Sequence, residues 1–255
     1  VLHAFSTRRG GVSRPPVGGL NLGFVESDWR ARVEENRRHF FDAIGARDFS
    51  LGGLRQIHSA LVYQVVREAG GELEYRPSGH TISAGTSHRP RGDALVTAQP
   101  GVLLSVRGAD CLPVLLVDPG LPAVAAIHAG WRGALHRVAE KTAGVMRYLF
   151  GSDPQRMIAV LGPSIRTCCY EVGEEVVRAF CGAFVNGEKF FHYAPGGESS
   201  AVLAARYPMR FVSSRLPGHE GASRAVPHLD LVGAVTDQLR RAGVRPGNIH
   251  VAKYC

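Results

Sequence analysis

The sequence lacks several patterns that would assign it to a class of protein at once. It has no internal repeat and no apolar run near the ~20 residues that a membrane-spanning helix needs. No charged-then-apolar leader follows Val1, so we expect neither secretion nor a membrane partner. The five cysteines are odd in number and include no Cys-x-x-Cys pair, which argues against a disulfide framework and favours a reducing cytoplasm.

Acidic residues are outnumbered by basic ones, and the formal net charge is +8. A basic balance favours anionic partners such as phosphate, nucleotides or nucleic acid, although a solvated, arginine-rich surface would account for it equally well. A nucleic-acid-binding module would need basic residues clustered with aromatic ones, whereas the arginines here are scattered along the chain. The sequence therefore does not favour a nucleic-acid partner.

Apolar runs in the middle of the chain predict strands that are buried on both faces, at 94–97, 102–106, 112–117 and 123–127. Turn signals built from glycine and proline separate these runs. The runs follow one another too closely for helical crossovers, which favours antiparallel or mixed pairing.

Helices and further strands are predicted on both sides of this central region. Helical spacing covers 30–44, 134–149, 173–180 and 230–242, and strand-like runs cover 157–161 and 249–254. Residues of β-type also surround His58 over 51–66, whereas 70–91 is typical of a long polar loop or lid and 190–207 gives mixed signals. Because strands dominate the centre and helices the flanks, the predicted class is α/β or α+β with layered packing.

Three short motifs each offer one good metal ligand where a strand gives way to a loop. They are Gln56-Ile57-His58, Ala109-Asp110-Cys111-Leu112-Pro113 and His128-Ala129-Gly130-Trp131-Arg132-Gly133. Two imidazoles and a thiol make a three-ligand set, and three protein ligands with one open position are typical of catalytic zinc, whereas structural zinc is closed by four. The set favours an enzyme, although ligands so far apart in sequence carry no spacing signature.

The same residues support a hydrolase or amidase that works without metal. Cys111 would be the nucleophile, His128 its base, and Asp110 or His58 the group that orients the base. A buried cysteine is also often only a small hydrophobic residue, and a histidine at a strand end can be purely structural. The metal content of protein purified without added metal separates the two enzymatic hypotheses.

These motifs resemble the bacterial laccase-domain proteins, also called the polyphenol oxidase or purine nucleoside phosphorylase family. The resemblance spans almost the whole chain, because further motifs agree in order: Ser6-Thr7-Arg8, Gly10-Gly11-Val12-Ser13, Leu20-Asn21-Leu22-Gly23, Asp93-Ala94-Leu95-Val96-Thr97, Gly162-Pro163-Ser164-Ile165 and Cys168-Cys169-Tyr170-Glu171-Val172-Gly173. It implies one domain over 1–255, an α+β fold with a layered α/β/β/α sandwich of mixed or antiparallel sheets.

The resemblance also implies a function. The zinc ligands of the family match His58, Cys111 and His128, which would be the catalytic residues. The implied reaction is phosphorolysis of adenosine, inosine, guanosine or methylthioadenosine to the free base and ribose 1-phosphate, with adenosine deamination at the same site. Zinc would polarise a water molecule or a substrate oxygen.

Four further residues are candidates for substrate binding by their motif positions. Cationic side chains must hold phosphate near the anomeric carbon, and Arg8 and Arg132 are the candidates for that role. Asn21 and Gln56 are the candidates for hydrogen bonds to the ribose or the base. The implied partners are therefore purine nucleosides and phosphate, and the oligomeric state stays open.

The family name also raises a copper-dependent polyphenol oxidase. None of the eleven histidines forms a His-x-His pair, the usual source of histidine ligands for clustered coppers, which argues against a multicopper centre. Copper(II) remains the alternative ion at the three-ligand set, because it outcompetes zinc at nitrogen and sulfur ligands. Hydrolysis of cell-wall peptide precursors is the other activity that the resemblance allows.

The chain departs from the family pattern at two places. Arg166-Thr167 stands where a Gly-Pro-like pair often precedes the double cysteine, and we expect this to affect only a turn. The chain ends at Cys255, where relatives usually continue with a segment rich in phenylalanine and arginine. If that segment lines the site, a phosphate-binding arginine would lie outside this sequence.

Overall fold

The computed structural model describes residues 1–79, 85, 86, 88–194 and 225–255. Contacts divide the chain into two compact units, one formed by Val1–Ser164 with Val235–Cys255 and the other by Ile165–Ala234. No helix in the described ranges is long and apolar enough to cross a membrane. The single-domain assignment to 1–255 stays a prediction.

The first unit is built around a mixed sheet of seven strands. The strands are β2 (Val62–Arg67), β3 (Leu73–Pro77), β4 (Ala94–Thr97), β6 (Leu112–Asp118), β7 (Ala123–Ala129), β8 (Ile158–Leu161) and β11 (Ile249–Val251). Their order is β11-β8-β6-β7-β4-β2-β3, with β11–β8 and β4–β2 parallel and the remaining pairs antiparallel. The predicted mixed α/β class is therefore confirmed.

Two shorter strands of the first unit, β1 (Ser50–Gly52) and β5 (Val102–Leu104), pair in parallel in a sheet of their own. The central strands differ in how completely their residues are buried. Every residue of β4 is buried, whereas β6 alternates between buried and half-buried residues. The prediction of burial on both faces is thus wrong for β6. It is also wrong for 102–106, where only Val102 is buried. Apolar residues on both sides of a strand do not ensure that both faces are covered.

The helices of the first unit are α1 (Arg30–Ala43), α2 (Trp131–Leu135) and α3 (Val138–Phe150). The helix α3 packs on β7, β4 and β2 through residues at helical spacing, namely Val138, Ala139, Thr142, Ala143 and Met146. A buried side chain of methionine size stabilises such a packing by roughly 1.5–3 kcal/mol.

Two sequence predictions in this unit need correction. One helix was expected over 134–149, but Arg137 adopts a left-handed backbone conformation with φ of 60°, which separates α2 from α3. The stretch 70–91, expected to be a loop, contains β3, which pairs with β2 through Leu73 and Tyr75. Residues 80–84 and 87 of that stretch lie outside the described residues.

The second unit contains α4 (Glu174–Ala183), a 3₁₀ turn at Gly187–Phe190, and the antiparallel pair β9 (Phe191–Ala194) and β10 (Val226–Leu229). Four phenylalanines form its core with ring centroids 5.5–6.3 Å apart, namely Phe180, Phe184, Phe190 and Phe191. Residues 195–207, part of the region with mixed signals, lie outside the described residues. The helix α5 (Leu231–Arg241) begins in this unit and ends in the first.

Candidate metal centre and active site

The three predicted ligands meet at one end of the central strands. Their ligand atoms, the sulfur of Cys111 and a ring nitrogen each of His58 and His128, all lie within 4.8 Å of one another. The two imidazole rings have centroids 5.0 Å apart and are inclined by 71°. His128 is buried, Cys111 is half-buried and His58 is exposed, so the group is open on the His58 side.

Strand register explains why two of these residues are neighbours. In the β6–β7 hairpin Leu112 pairs with Ala129. Cys111, which directly precedes β6, therefore lies beside Gly130, which directly follows β7. His128 is the second-last residue of β7 and lies at the same end of the sheet. The hairpin alone thus places the thiol and one imidazole together.

The third ligand is held in place by Asp93, to which the sequence assigned no role. Ala94 pairs with Ile127 in the β4–β7 ladder, so Asp93 comes opposite His128, whose backbone N–H donates to the Asp93 carbonyl oxygen over 2.7 Å. The Asp93 carboxylate also accepts hydrogen bonds from the backbone N–H groups of Ile57, His58 and Ser59 at 2.6–3.3 Å. The Ser59 hydroxyl donates to it over 2.7 Å. One fully buried carboxylate therefore holds the loop that carries His58.

Asp93 also fixes the orientation of His128. Its Oδ1 atom lies 2.9 Å from Nδ1 of His128, which leaves Nε2 to face Cys111 and His58. Burial raises the pKa of the Asp93 carboxyl, but the hydrogen bonds from His128, Ser59 and His58 outweigh it and lower this pKa to about 2. Burial lowers the pKa of His128, but hydrogen bonds with Asp93 and Cys111 raise it to about 9. Asp93 is thus an anion at neutral pH.

The backbone around the ligands is unusual in two ways. His58 and Asp110 have positive φ angles of 60° and 75°, a conformation that only a few per cent of residues other than glycine adopt. At Gly130, an added Cβ atom would lie 2.8 Å from Cδ2 of His58 and 3.0 Å from Sγ of Cys111. Only glycine leaves the two side chains room to face each other.

The donor set fits a metal ion of the zinc or copper class. A thiolate sulfur and two imidazole nitrogens are ligands that both ions accept, and the aspartate hydrogen bond to the distal nitrogen of a ligating histidine is a common supporting contact. Among the described residues, His58, Cys111 and His128 form the one group of potential metal ligands that contains histidine. The same geometry also arranges Cys111, His128 and Asp93 as a nucleophile, a base and a group that orients the base, with Asp93 in the position expected of Asp110.

The four residues predicted to bind substrate each contact other parts of the protein. The Arg8 guanidinium donates to the Val17 carbonyl over 2.9 Å, and the exposed Arg132 guanidinium lies 4.5 Å above the Trp131 ring. The Asn21 amide donates to Asp28 and to the Gly23 carbonyl, within its own loop.

Gln56 connects the His58 loop to the segment that leads to Cys111. Its amide nitrogen donates to the Arg107 carbonyl over 2.7 Å, and its amide oxygen accepts from the Arg107 N–H over 2.9 Å. Both polar atoms of the side chain are therefore engaged with backbone, so Gln56 acts as a tether between two ligand-bearing segments.

Three arginines that the sequence did not single out form a cationic cluster, which we call the arginine cluster: Arg37, Arg89 and Arg107. Burial lowers the pKa of Arg37, and the positive charges of Arg89 and Arg107 lower it further. Among the residues that the structure describes, no carboxylate forms an ion pair with any of the three. The carboxylate of Glu34 acts on Arg37 in the opposite direction, but the pKa of Arg37 is lowered on balance, so positive charge predominates here. An excess of positive charge attracts an anion.

The arginine cluster borders on the ligand-bearing loops and on a cavity. Arg107 is the residue that Gln56 tethers, and the Arg89 guanidinium carbon lies 3.6 Å from where a Cβ atom of Gly53 would be. Arg37 and Arg107 also line a mostly apolar cavity of about 530 Å³, which none of the three ligands lines.

Comparison with known proteins gives a consistent result. The family model described as multi-copper polyphenol oxidoreductase laccase matches residues 2–255. A Deinococcus radiodurans protein named purine nucleoside phosphorylase is 42% identical over 255 residues, which covers 100% of this chain and 79% of that protein. The Escherichia coli protein named purine nucleoside phosphorylase YfiH is 38% identical over 175 residues, covering 69% of this chain and 63% of its own length.

Two solved structures resemble the fold over almost the whole chain. YlmD from Geobacillus stearothermophilus superposes with a TM-score of 0.73 at 28% identity, covering 98% of this chain and 80% of that one. The Bacillus licheniformis hypothetical protein YfiH gives a TM-score of 0.73 at 25% identity, covering 97% and 80%. These matches confirm the family that the sequence motifs indicate, and they confirm the predicted mixed α/β fold class.

Proposed function

We propose, from the premise that the chain belongs to the multi-copper polyphenol oxidoreductase laccase family, that it is a zinc-dependent purine nucleoside phosphorylase. The observation that carries the proposal is the convergence of His58, Cys111 and His128 on one open, metal-sized position. The names of the Deinococcus and Escherichia relatives support the same reaction class. Adenosine deaminase activity at this site, and a cytoplasmic location, are further parts of the proposal.

His58, Cys111 and His128 would hold the zinc ion. Bound there, zinc supplies a Lewis acid that polarises an oxygen atom. Asp93 keeps the His128 ring in the orientation that directs Nε2 into the site, and it holds the backbone of the His58 loop. The site is open on the exposed His58 side, which is where a nucleoside would enter.

Phosphorolysis also needs a position for phosphate, and the arginine cluster supports one. Guanidinium groups bind phosphate in a bidentate manner. Arg37 and Arg107 line one cavity, and the positive charges of Arg89 and Arg107 both lower the pKa of Arg37. Bound phosphate would offset the mutual repulsion of the three guanidinium groups. Arginines that are already paired with carboxylates have no such repulsion to offset. We assign the phosphate to these arginines in preference to Arg8 and Arg132, because the positive charges of Arg89 and Arg107 act together with that of Arg37.

Zinc-loaded protein should be incubated with adenosine, with and without phosphate, and the products separated by chromatography. Adenine and ribose 1-phosphate that form only with phosphate would support phosphorolysis, and inosine would support deamination. Removing zinc with a chelator should abolish both reactions, and adding zinc should restore them. The absence of any product from the zinc-loaded protein would contradict the proposal.

A metal-independent cysteine hydrolase is the second candidate, because Cys111, His128 and Asp93 also form a connected series of hydrogen-bonded groups. Peptide precursors of the cell wall would be its substrates. Hydrolysis that survives chelation but is lost with Cys111→Ala would favour it. Copper-dependent phenol oxidation is less well supported, because the described residues offer one histidine-containing ligand group, whereas a multicopper centre needs several.

A further inference from the structure

Two adjacent cysteines of the second unit hold their sulfur atoms close together. The Sγ atoms of Cys168 and Cys169 are 3.4 Å apart, and both residues are exposed. Neither residue belongs to the set formed by His58, Cys111 and His128. Thiolate sulfur is a ligand that prefers soft ions such as copper(I).

The separation of the two sulfurs suits chelation of one ion. With metal–sulfur bonds of about 2.3 Å, a tetrahedral ion holds two sulfurs roughly 3.8 Å apart, and a right-angled geometry holds them roughly 3.3 Å apart. The observed 3.4 Å lies between these values. A small rotation of either exposed side chain therefore suffices to place both sulfurs on the same ion.

The backbone that carries the pair is held on both sides. The N–H of Cys169 donates to the Arg166 carbonyl over 2.9 Å and closes a turn. The segment is also fastened to β10, because the Thr167 carbonyl lies 2.6 Å from Nδ1 of His228, and the N–H of Leu229 donates to the Tyr170 carbonyl over 3.0 Å.

A ligand set on a fixed backbone loses little conformational entropy when it binds an ion. The turn and the contacts with β10 fix the backbone that carries the two neighbouring thiols. Two thiols placed so can act on one ion together, which a single exposed cysteine cannot do.

We propose that Cys168 and Cys169 form a dithiol site that chelates one thiophilic ion, of the copper(I) or trivalent arsenic type. The site shares no residue with the proposed zinc centre, so it does not depend on the proposed phosphorylase activity. With a trivalent phenylarsenical oxide, two As–S bonds form and the As–O bond breaks. The two thiol protons leave with the oxygen as water, and no oxidant or reductant is needed.

Phenylarsine oxide is the first probe. The reduced, zinc-loaded protein is treated with it, washed with 2-mercaptoethanol, which displaces arsenic from single thiols, and weighed by intact-mass spectrometry. We expect one arsenic per chain in the wild type and none in Cys168→Ser or Cys169→Ser. Cys181→Ser, which removes an exposed cysteine of α4, should retain it. Retention by either Cys168→Ser or Cys169→Ser, or no retention by the wild type, would overturn the proposal.

Copper(I) uptake in competition with bicinchoninate is the second measurement. The zinc-loaded wild type should take up one equivalent more than either Cys168→Ser or Cys169→Ser. Equal uptake by all three proteins would also overturn the proposal. Thermal unfolding of the variants should match that of the wild type, because both side chains are exposed, and it shows that lost binding does not reflect lost folding.

Discussion

The Nδ1 atom of His128 lies 2.9 Å from Oδ1 of Asp93, and the same carboxylate accepts the backbone N–H of His58 over 3.0 Å. One buried anion therefore positions two of the three proposed metal ligands. The third, Cys111, follows from the register of the β6–β7 hairpin. Precise placement of ligands far apart in sequence thus depends on one carboxylate and one strand pairing.

Replacing Asp93 with asparagine should weaken metal binding by about 10- to 100-fold, the usual effect of losing a partner that orients a ligand. The amide keeps the size of the side chain but loses its charge and presents a donor to N–H groups. Competition with a chromophoric chelator measures the zinc affinity. Asp118→Asn is a matched control, since Asp118 is also buried and accepts a hydrogen bond, from Gly120. Equal zinc affinity in wild type and Asp93→Asn would contradict this role.

Gly130→Ala should abolish zinc binding and activity while the protein stays folded. The new methyl group would lie 2.8 Å from the His58 ring and 3.0 Å from the Cys111 sulfur, closer than such atoms approach, so the ligands must move apart. Zinc content after dialysis and circular dichroism test the two parts. Gly144→Ala on α3 is the control, because nothing lies within 4 Å of its added Cβ, and it should stabilise the fold by about 0.5–1 kcal/mol. A Gly130→Ala protein with full zinc content would refute the steric argument.

Arg89→Ala should raise the KM for phosphate by roughly 10-fold or more, because a hydrogen bond to a charged group contributes about 1.5–3 kcal/mol. Deamination of adenosine, which uses no phosphate, should be affected less. Initial rates over a range of phosphate concentrations measure the effect. Arg241→Ala is the control, since Arg241 is an exposed residue of α5 that pairs with Asp237. An unchanged phosphate KM in Arg89→Ala would remove that residue from the anion site.

Asp28 should contribute to stability in a pH-dependent manner. Hydrogen bonds from Asn21 and Ser13 lower the pKa of its carboxyl below the ordinary 3.8. A group whose folded-state pKa is lowered contributes stability above its unfolded-state pKa and loses it as the pH falls through the folded-state value. Urea unfolding should therefore show wild type more stable than Asp28→Asn at pH 7, with a difference that shrinks below about pH 3.8. If the difference in stability between wild type and Asp28→Asn stayed constant from pH 7 to pH 3, the proposed role of the Asp28 carboxylate would be contradicted.

Periodicity was sufficient to predict most elements of the first unit. Four apolar runs became β4 to β7, and the helix predicted over 30–44 is α1, because burial of an apolar face imposes the same spacing wherever it occurs. The break between α2 and α3 was missed, since nothing in the sequence around Arg137 signals its left-handed backbone. β3 was missed because glycine and proline flank a short strand whose partner, β2, is defined only in the folded sheet.

The ligand types were readable from the sequence, but their support was not. His58, Cys111 and His128 stand out by residue type and by their motifs. Asp93 directly precedes an apolar strand, where a carboxylate that becomes buried must find hydrogen-bond donors, and this is the one local signal of its role. Arg37, Arg89 and Arg107 give no local signal, because each looks like an ordinary surface arginine until the chain brings the three together.

The sequence by itself determined which residue types are present, the spacing of the strands and α1, and the family to which the motifs point. Only the tertiary structure decided that Asp93 faces His128, that Gly130 has no room for a methyl group, and that three arginines share one neighbourhood. The physical reason is that side-chain chemistry and local periodicity are properties of short segments. Distances between segments are fixed by strand register and by the packing of the whole sheet.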